Sequence, residues 1–195
     1  MRKALVVGID QYPSCPLHGC CNDADSITNI LSQNEDGSPN FDVRIEKNVT
    51  SKARLRELIE ECFAGDPDIA LFYYSGHGYM DSVGGFLVTP DYTAFDYGVS
   101  LQDVLTIANQ SRAKEKIIIL DSCYSGFMGN INTTGQQTAV INEGVTILTA
   151  SRSDETSKEV DGHGVFTSLL IEALSGSAAD VTGHITPGGI YASVS

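Results

Sequence analysis

The sequence has few basic residues, and this shortage limits the partners that we expect. Lysine and arginine together number 12 among 195 residues, against 25 aspartates and glutamates, so the formal net charge is −13. Binding to a phosphate backbone or to an anionic membrane surface needs clustered lysine and arginine. We therefore expect no nucleic acid and no membrane among the partners, and a weak preference for cationic ligands.

Long hydrophobic runs are also absent, which argues against a membrane-spanning helix. No segment approaches the roughly 18–20 apolar residues that such a helix needs. The apolar run from Ala4 to Ile9 is shorter than the ~7–15 residues of a signal-peptide core, and Asp10 ends it. The five cysteines form no even framework, which is typical of reduced thiols. We expect residues 1–195 to form a single cytoplasmic domain.

Apolar segments alternate with amphipathic ones, and this pattern predicts an α/β fold. Apolar runs typical of buried strands lie at 3–9, 68–75, 116–120 and 145–150, with weaker strands at 41–47 and 84–88. Apolar residues recur at helical spacing at 22–31, 51–63, 100–108 and 165–174. This alternation indicates a mostly parallel central sheet with helices on both faces.

Residues able to do chemistry follow two of the predicted strands, where parallel sheets place their sites. His77 follows the strand that ends at Ser75, and Cys123 follows the strand that ends near Asp121. A cysteine thiolate is a strong nucleophile, and it needs a base or a positive neighbour to form near neutral pH. If the two strands are neighbours, thiol and imidazole face each other. The backbone N–H groups of Gly78 and Cys123 could then stabilise an oxyanion.

Two other groups of residues have weaker functional interpretations. His163 also lies between two glycines, but it precedes a helix, so we expect it in a loop without a catalytic role. A zinc site would need a second, distant pair of ligands and would have to use adjacent cysteines. We therefore expect no metal at the local group Cys15, His18, Cys20 and Cys21.

The segments around His77 and Cys123 carry a specific resemblance. SGHG after one strand and DSCYSG after another resemble the caspase-like cysteine peptidases, and within them the metacaspase-like branch of bacterial type. The stretches GID with Tyr12, LHGCCNDA (17–24) and VTILTASRSDETS (145–157) are also similar to this family. The resemblance covers about residues 3 to 190 and implies a three-layer caspase-like fold.

The resemblance also implies a role for each matching residue. His77 matches the general base and Cys123 the nucleophile of a cysteine endopeptidase. In this family a pocket holds the substrate side chain before the scissile bond, and the positions that line it match Asp121, Asp23, Cys20 and Ser75. Because paired carboxylates bind a guanidinium or ammonium group by charge-assisted hydrogen bonds, we expect a protein or peptide substrate with arginine or lysine there.

Several alternatives stay open. The chain could be a catalytically silent caspase-like interaction module, although both His77 and Cys123 are intact. It could be an aspartate-specific caspase, although that would need an arginine-lined pocket, or another Cys-His hydrolase or transferase.

We expect no cofactor. Calcium, which activates many metacaspases, needs converging oxygen ligands, and the nearby aspartates are scattered singly at Asp81, Asp91, Asp96 and Asp103.

The C-terminal segment suggests a longer natural protein. Thr186-Pro187 is typical of the start of a helix, and the chain stops shortly afterwards. The family resemblance adds at least one more strand after this helix. We therefore expect a further C-terminal segment, and control by a fused domain or a regulatory partner.

The distribution of basic residues predicts how the chain matures. Caspases are commonly activated by a cut between the nucleophile and the next strand, but this chain has no lysine or arginine from Ile117 through Ser151. A pocket selective for basic residues cannot direct a cut there. We expect a single-chain active form, with any self-cleavage after Lys158 or within 112–116.

N-terminal sequencing of the fragments from an incubated sample measures this directly. Cys123→Ala serves as the control that cannot cut itself. A cut between Tyr124 and Gly144 that is present in the wild type and missing in that variant would contradict the prediction.

Overall fold

The computed structural model describes residues 1–122, 144–149, 159–160, 163–180, 183 and 185–194. Ten strands lie in this part of the chain: β1 (Arg2–Gly8), β2 (Asp42–Lys47), β3 (Ile69–Ser75), β4 (Gly78–Met80), β5 (Gly85–Thr93), β6 (Asp96–Ser100), β7 (Glu115–Asp121), β8 (Val145–Thr149), β9 (Glu159–Val160) and β10 (His163–Gly164). The helices are α1 (Cys20–Ser32), α2 (Lys52–Phe63), α3 (Leu101–Gln110), α4 (Val165–Glu172), a π-helical turn (Ala173–Ser177) and α5 (Pro187–Val194).

Five strands form a parallel central sheet in the order β2-β1-β3-β7-β8. The strands that precede His77 and Cys123 are therefore neighbours, because β3 pairs with β7 along its whole length. Parallel pairing brings the carboxyl ends of the strands to one edge of the sheet. The segments that carry Cys20, His77 and Cys123 each follow, in the sequence, a strand whose carboxyl end lies at that edge.

Each face of the sheet has its own hydrophobic core, because side chains alternate along a strand. On one face Val6 and Tyr73 pack in a cluster with residues of α1 and α4. On the other face Val7 and Tyr74 pack in a cluster with residues of α2 and α3. This layering confirms the predicted α/β fold with helices on both faces. No helix in the described part of the chain is long and apolar enough to cross a membrane.

A second, antiparallel sheet of β4, β5 and β6 follows His77, and the sequence predicts it only in part. The sequence indicates one short strand at 84–88, whereas β5 continues to Thr93. Pro90, Asp91 and Gly98 lie within β5 and β6, and these residue types are depleted in strands. β4 is three residues long, too short for an alternating pattern.

Helix α1 begins two residues earlier than the spacing predicts because a distant side chain caps it. The Asp10 carboxylate accepts hydrogen bonds from the backbone N–H groups of Cys20 (2.9 Å) and Cys21 (3.2 Å). These groups have no partner within a helix, and a carboxylate also interacts favourably with the helix dipole. Ser100 caps α3, since its hydroxyl accepts from the Asp103 N–H.

The close approach of β1 to α1 predicts a specific intolerance at Gly8. A Cβ atom there would lie 2.3 Å from the backbone oxygen of Cys20. Gly8→Ala must therefore displace α1, and we expect it to lower the free energy of unfolding by about 1–3 kcal/mol. Urea denaturation monitored by circular dichroism measures this loss.

Gly188 provides the matched control, because its nearest neighbour to an added Cβ is the Thr186 hydroxyl at 4.0 Å. Gly188→Ala should leave stability unchanged or raise it, since alanine favours helices over glycine. Equal stability of Gly8→Ala and the wild type would show that α1 is not held against β1.

Candidate active site

The site is organised by one row of residues at the carboxyl edge of the central sheet. Gly8, Ser75 and Asp121 are register partners across β1, β3 and β7. The ladder continues one residue further, because Ile9 N–H donates to the Ser75 oxygen (3.0 Å) and Gly76 N–H to the Asp121 oxygen (3.3 Å). The chain therefore leaves β3 in a defined direction before it reaches His77.

The His77 imidazole is held in one orientation by the segment that follows β1. Its Nε2 lies 2.8 Å from the backbone oxygen of Cys15, and its ring packs against Tyr12 with centroids 4.5 Å apart. A carbonyl oxygen can only accept, so Nε2 carries the proton and the lone pair of a neutral ring lies on Nδ1. Burial lowers the pKa of His77, and the bond to Cys15 opposes this shift. The lowered pKa favours the neutral ring, the form that can accept a proton.

Cys123 lies outside the described residues, so its pairing with His77 stays a prediction. The register nevertheless gives the two residues equivalent positions in sequence. His77 comes two residues after Ser75, and Cys123 comes two residues after Asp121, the register partner of Ser75. The proposed oxyanion donor at Cys123 falls outside the description as well, while Gly78 is buried at the start of β4.

The predicted pocket residues lie together beside this row. Asp23 is 2% exposed and accepts hydrogen bonds from the Ser75 hydroxyl (3.1 Å) and from the N–H of Gly164 (3.3 Å). Gly164 also lies against the second aspartate, because a Cβ there would be 2.7 Å from Asp121 Oδ2 and 3.4 Å from Asp23 Oδ2. The carboxylates of Asp23 and Asp121 thus both lie next to Gly164.

A chain of hydroxyl groups orients Asp121. The Thr167 hydroxyl donates to Asp121 Oδ2 and lies 2.6 Å from the hydroxyl of Tyr73, which must then donate to Thr167. Tyr73 and Thr167 have no exposed surface. Burial raises the pKa of Asp121, while the Thr167 hydrogen bonds act against this rise. Burial thus disfavours the charged form of the Asp121 carboxyl group, and the hydroxyl network favours it.

Cys20 completes the group as a neutral thiol. It is buried near Ser75, and desolvation together with the charges of Asp10, Asp23 and Asp121 raises its pKa strongly. A thiol in this environment lines the pocket without ionising. All four predicted pocket residues are therefore neighbours in the structure, and their roles stay predictions.

A family model described as "Caspase domain" matches residues 1–186, which is most of the chain. This chain belongs to the caspase domain family. Over 142 residues it is 30% identical to metacaspase-9 of Arabidopsis thaliana, a region that covers 64% of this chain and 43% of that protein. The chain therefore aligns with less than half the length of this curated relative. The predicted family resemblance is confirmed.

The fold of this caspase-family chain is also found in a solved structure. Caspase-1 from Spodoptera frugiperda superposes with a TM-score of 0.69 over 98% of this chain and 74% of that one. The sequence identity is 16%, so the likeness concerns the fold alone. It confirms the three-layer caspase-like architecture.

The structure corrects the expected environment of His163 and adds residues that the sequence did not indicate. His163 lies in the two-residue strand β10, which pairs with β9, and not in a loop. Its neighbour Gly164 reaches the two aspartates. Thr167 was predicted only as part of a helix, and no local pattern distinguishes its contact with Asp121, because the two residues are 46 positions apart.

The aspartates considered for calcium have other partners. Asp91 accepts from the Thr89 hydroxyl and the Lys52 N–H, Asp96 pairs with Lys52, and the Asp103 carboxylate accepts from the Ser100 hydroxyl. Within the described residues no three histidine, cysteine or acidic side chains converge as a metal site would require. The expectation of no cofactor and no metal stays a prediction.

The raised pKa of Asp121 predicts a stability change with a definite sign. The folded protein keeps the Asp121 proton at pH values where the unfolded chain, with a pKa of about 3.9, has released it. Ionisation therefore costs stability as the pH rises. Asp121→Asn should match the wild type near pH 4 and become progressively more stable relative to it towards pH 7, as measured by urea denaturation.

Asp25 offers a matched control on the surface, where it pairs with Lys47. Asp25→Asn should show no gain that grows with pH. An Asp121→Asn variant less stable than the wild type at pH 7 would mean that the hydroxyl network outweighs the cost of burying the charge.

Proposed function

We propose that this protein is a cysteine endopeptidase that cleaves peptide bonds after arginine or lysine. The observation that carries the proposal is the meeting of Asp23 and Asp121 at Gly164, on the sheet edge that also positions His77. Membership of the caspase domain family supports the reaction type. The paired carboxylates support the choice of substrate.

The proposed reaction uses Cys123 and His77 as a dyad. His77 Nδ1 accepts the Cys123 thiol proton, and the thiolate attacks the carbonyl carbon of the scissile bond. The resulting oxyanion is stabilised by the N–H groups of Gly78 and Cys123. The imidazolium then gives its proton to the departing amine, and water hydrolyses the thioester with His77 again as the base.

The chemistry of the pocket favours a cationic side chain. An ionised carboxylate accepts hydrogen bonds with both oxygens, and those of Asp121 and Asp23 already accept from Thr167, Ser75 and Gly164. A guanidinium or ammonium group would compensate two buried negative charges, whereas an aspartate side chain would add a third. None of the six pocket residues is basic: Cys20, Asp23, Ser75, Asp121, Gly164 and Thr167.

A panel of fluorogenic peptides ending in arginine, lysine, aspartate or alanine tests the proposal. The wild type should cleave the arginine and lysine peptides. Truncating one partner of a buried charge pair costs about 2–5 kcal/mol, so Asp121→Ala should lower kcat/KM on these peptides by about thirtyfold or more. Cys123→Ala and His77→Ala should show no turnover.

Variants of two aspartates on α1 distinguish a role in the pocket from a general effect of removing a negative charge. Asp23→Ala should behave like Asp121→Ala, whereas Asp25→Ala, on the exposed side of the same helix, should cleave normally. Normal cleavage of arginine peptides by Asp121→Ala would place the pocket elsewhere. If the wild type cleaves none of the peptides, the interaction-module alternative is favoured.

A further inference from the structure

Two tyrosine hydroxyl groups occupy the space above Gly76. The hydroxyls of Tyr12 and Tyr74 lie 3.1 Å apart, and both side chains are buried, with 4% and 0% of their surface exposed. A Cβ atom on Gly76 would lie 2.6 Å from each hydroxyl oxygen. The glycine is therefore required by the tyrosines, which approach the backbone directly before His77.

The same hydroxyls hold the main chain of His77. The N–H of His77 donates to the Tyr12 hydroxyl (3.1 Å), and the Tyr74 hydroxyl lies within donating distance of the His77 oxygen (3.0 Å) and the Val88 oxygen (2.9 Å). The Tyr12 ring also contacts the imidazole. Burial raises the pKa of Tyr12, so its hydroxyl stays protonated and can donate as well as accept.

His77 needs such contacts because of its neighbours in sequence. It lies between Gly76 and Gly78, and glycine restricts the backbone least of all residues. The local sequence therefore does not define the direction of the imidazole. Contacts from other elements must supply it, and the described ones come from Tyr12, Tyr74, Cys15 and Val88.

We propose that Tyr12 and Tyr74 are positioning residues for His77, a pair that holds its main chain so that the imidazole keeps Nε2 on the Cys15 oxygen and Nδ1 towards the substrate. This inference rests on the proposed function, since it assigns His77 the work of a base. The two tyrosines act through His77 and do not contact the substrate. They differ in this from Tyr73, the preceding residue of β3, which points to the opposite face and acts on the pocket through Thr167.

Removing one hydroxyl at a time tests the pair. Tyr12→Phe and Tyr74→Phe keep the rings and remove the hydrogen bonds. Since a displacement of about 1 Å can cost about a hundredfold in rate, we expect kcat on an arginine peptide to fall about tenfold to a hundredfold, with KM changed by less than about twofold. Tyr79→Phe is the control, because the Tyr79 ring packs against Tyr97 of the small sheet, with centroids 3.9 Å apart.

A measurement on the resting protein makes the test independent of turnover. Nitrogen-15 NMR of labelled histidine should show His77 of the wild type and of Tyr79→Phe in the Nε2–H form, and a mixture of tautomers in the two positioning variants. Circular dichroism checks that each variant is folded, and if one is not, the other decides.

Each outcome has a definite meaning. Unchanged kcat and an unchanged His77 spectrum in the folded variants would overturn the inference, and so would a rise in KM at constant kcat, which would indicate a role in binding. If the wild type cleaves no peptide, the proposed function fails. The His77 spectrum alone then decides whether the tyrosines hold the imidazole.

Discussion

The register between β1, β3 and β7 is the constraint on which the rest of the site depends. It sets Gly8, Ser75 and Asp121 side by side. A shift of one residue in a strand would turn every side chain to the opposite face. Tyr73 and Tyr74 would then exchange layers, and the pocket network and the His77 contacts would be lost together. The hydrophobic alternation that fills the two cores is thus also what aligns the polar groups at the edge.

Asp10 links this edge to the elements around it. Its carboxylate caps α1, the helix that carries Cys20 and Asp23, and its backbone oxygen accepts from the N–H groups of Tyr12 and Leu17. One residue therefore sets both the start of the pocket helix and the path of the segment that supports His77. Asn48 holds Asp10 in turn, by accepting from its N–H.

The sequence predicts those parts of the structure that depend on local pattern. Buried strands and amphipathic helices follow from periodicity, and the positions of His77 and Asp121 follow from the rule that sites lie at strand ends. The pocket set came from family resemblance. The contacts of Thr167, Gly164 and Tyr12 could not be predicted, because each joins residues of distant segments and leaves no spacing signal. The small sheet was predicted only in part for a different reason. Its pairing is local in sequence, but its glycine and proline residues interrupt the pattern that is typical of strands.

The separation of these contacts along the chain has a consequence for biosynthesis. Gly164 reaches Asp23 across 141 residues, and Thr167 reaches Asp121 across 46. Chains emerge from the ribosome N-terminus first, and contacts between distant segments form late. While β1 to β7 are being synthesised, Gly164 of β10 is not yet available to Asp23 and Asp121. The Thr167 hydroxyl, which donates to Asp121, is also missing. The pocket is therefore assembled only after β10 and α4 have left the ribosome, so a nascent chain does not carry a complete site.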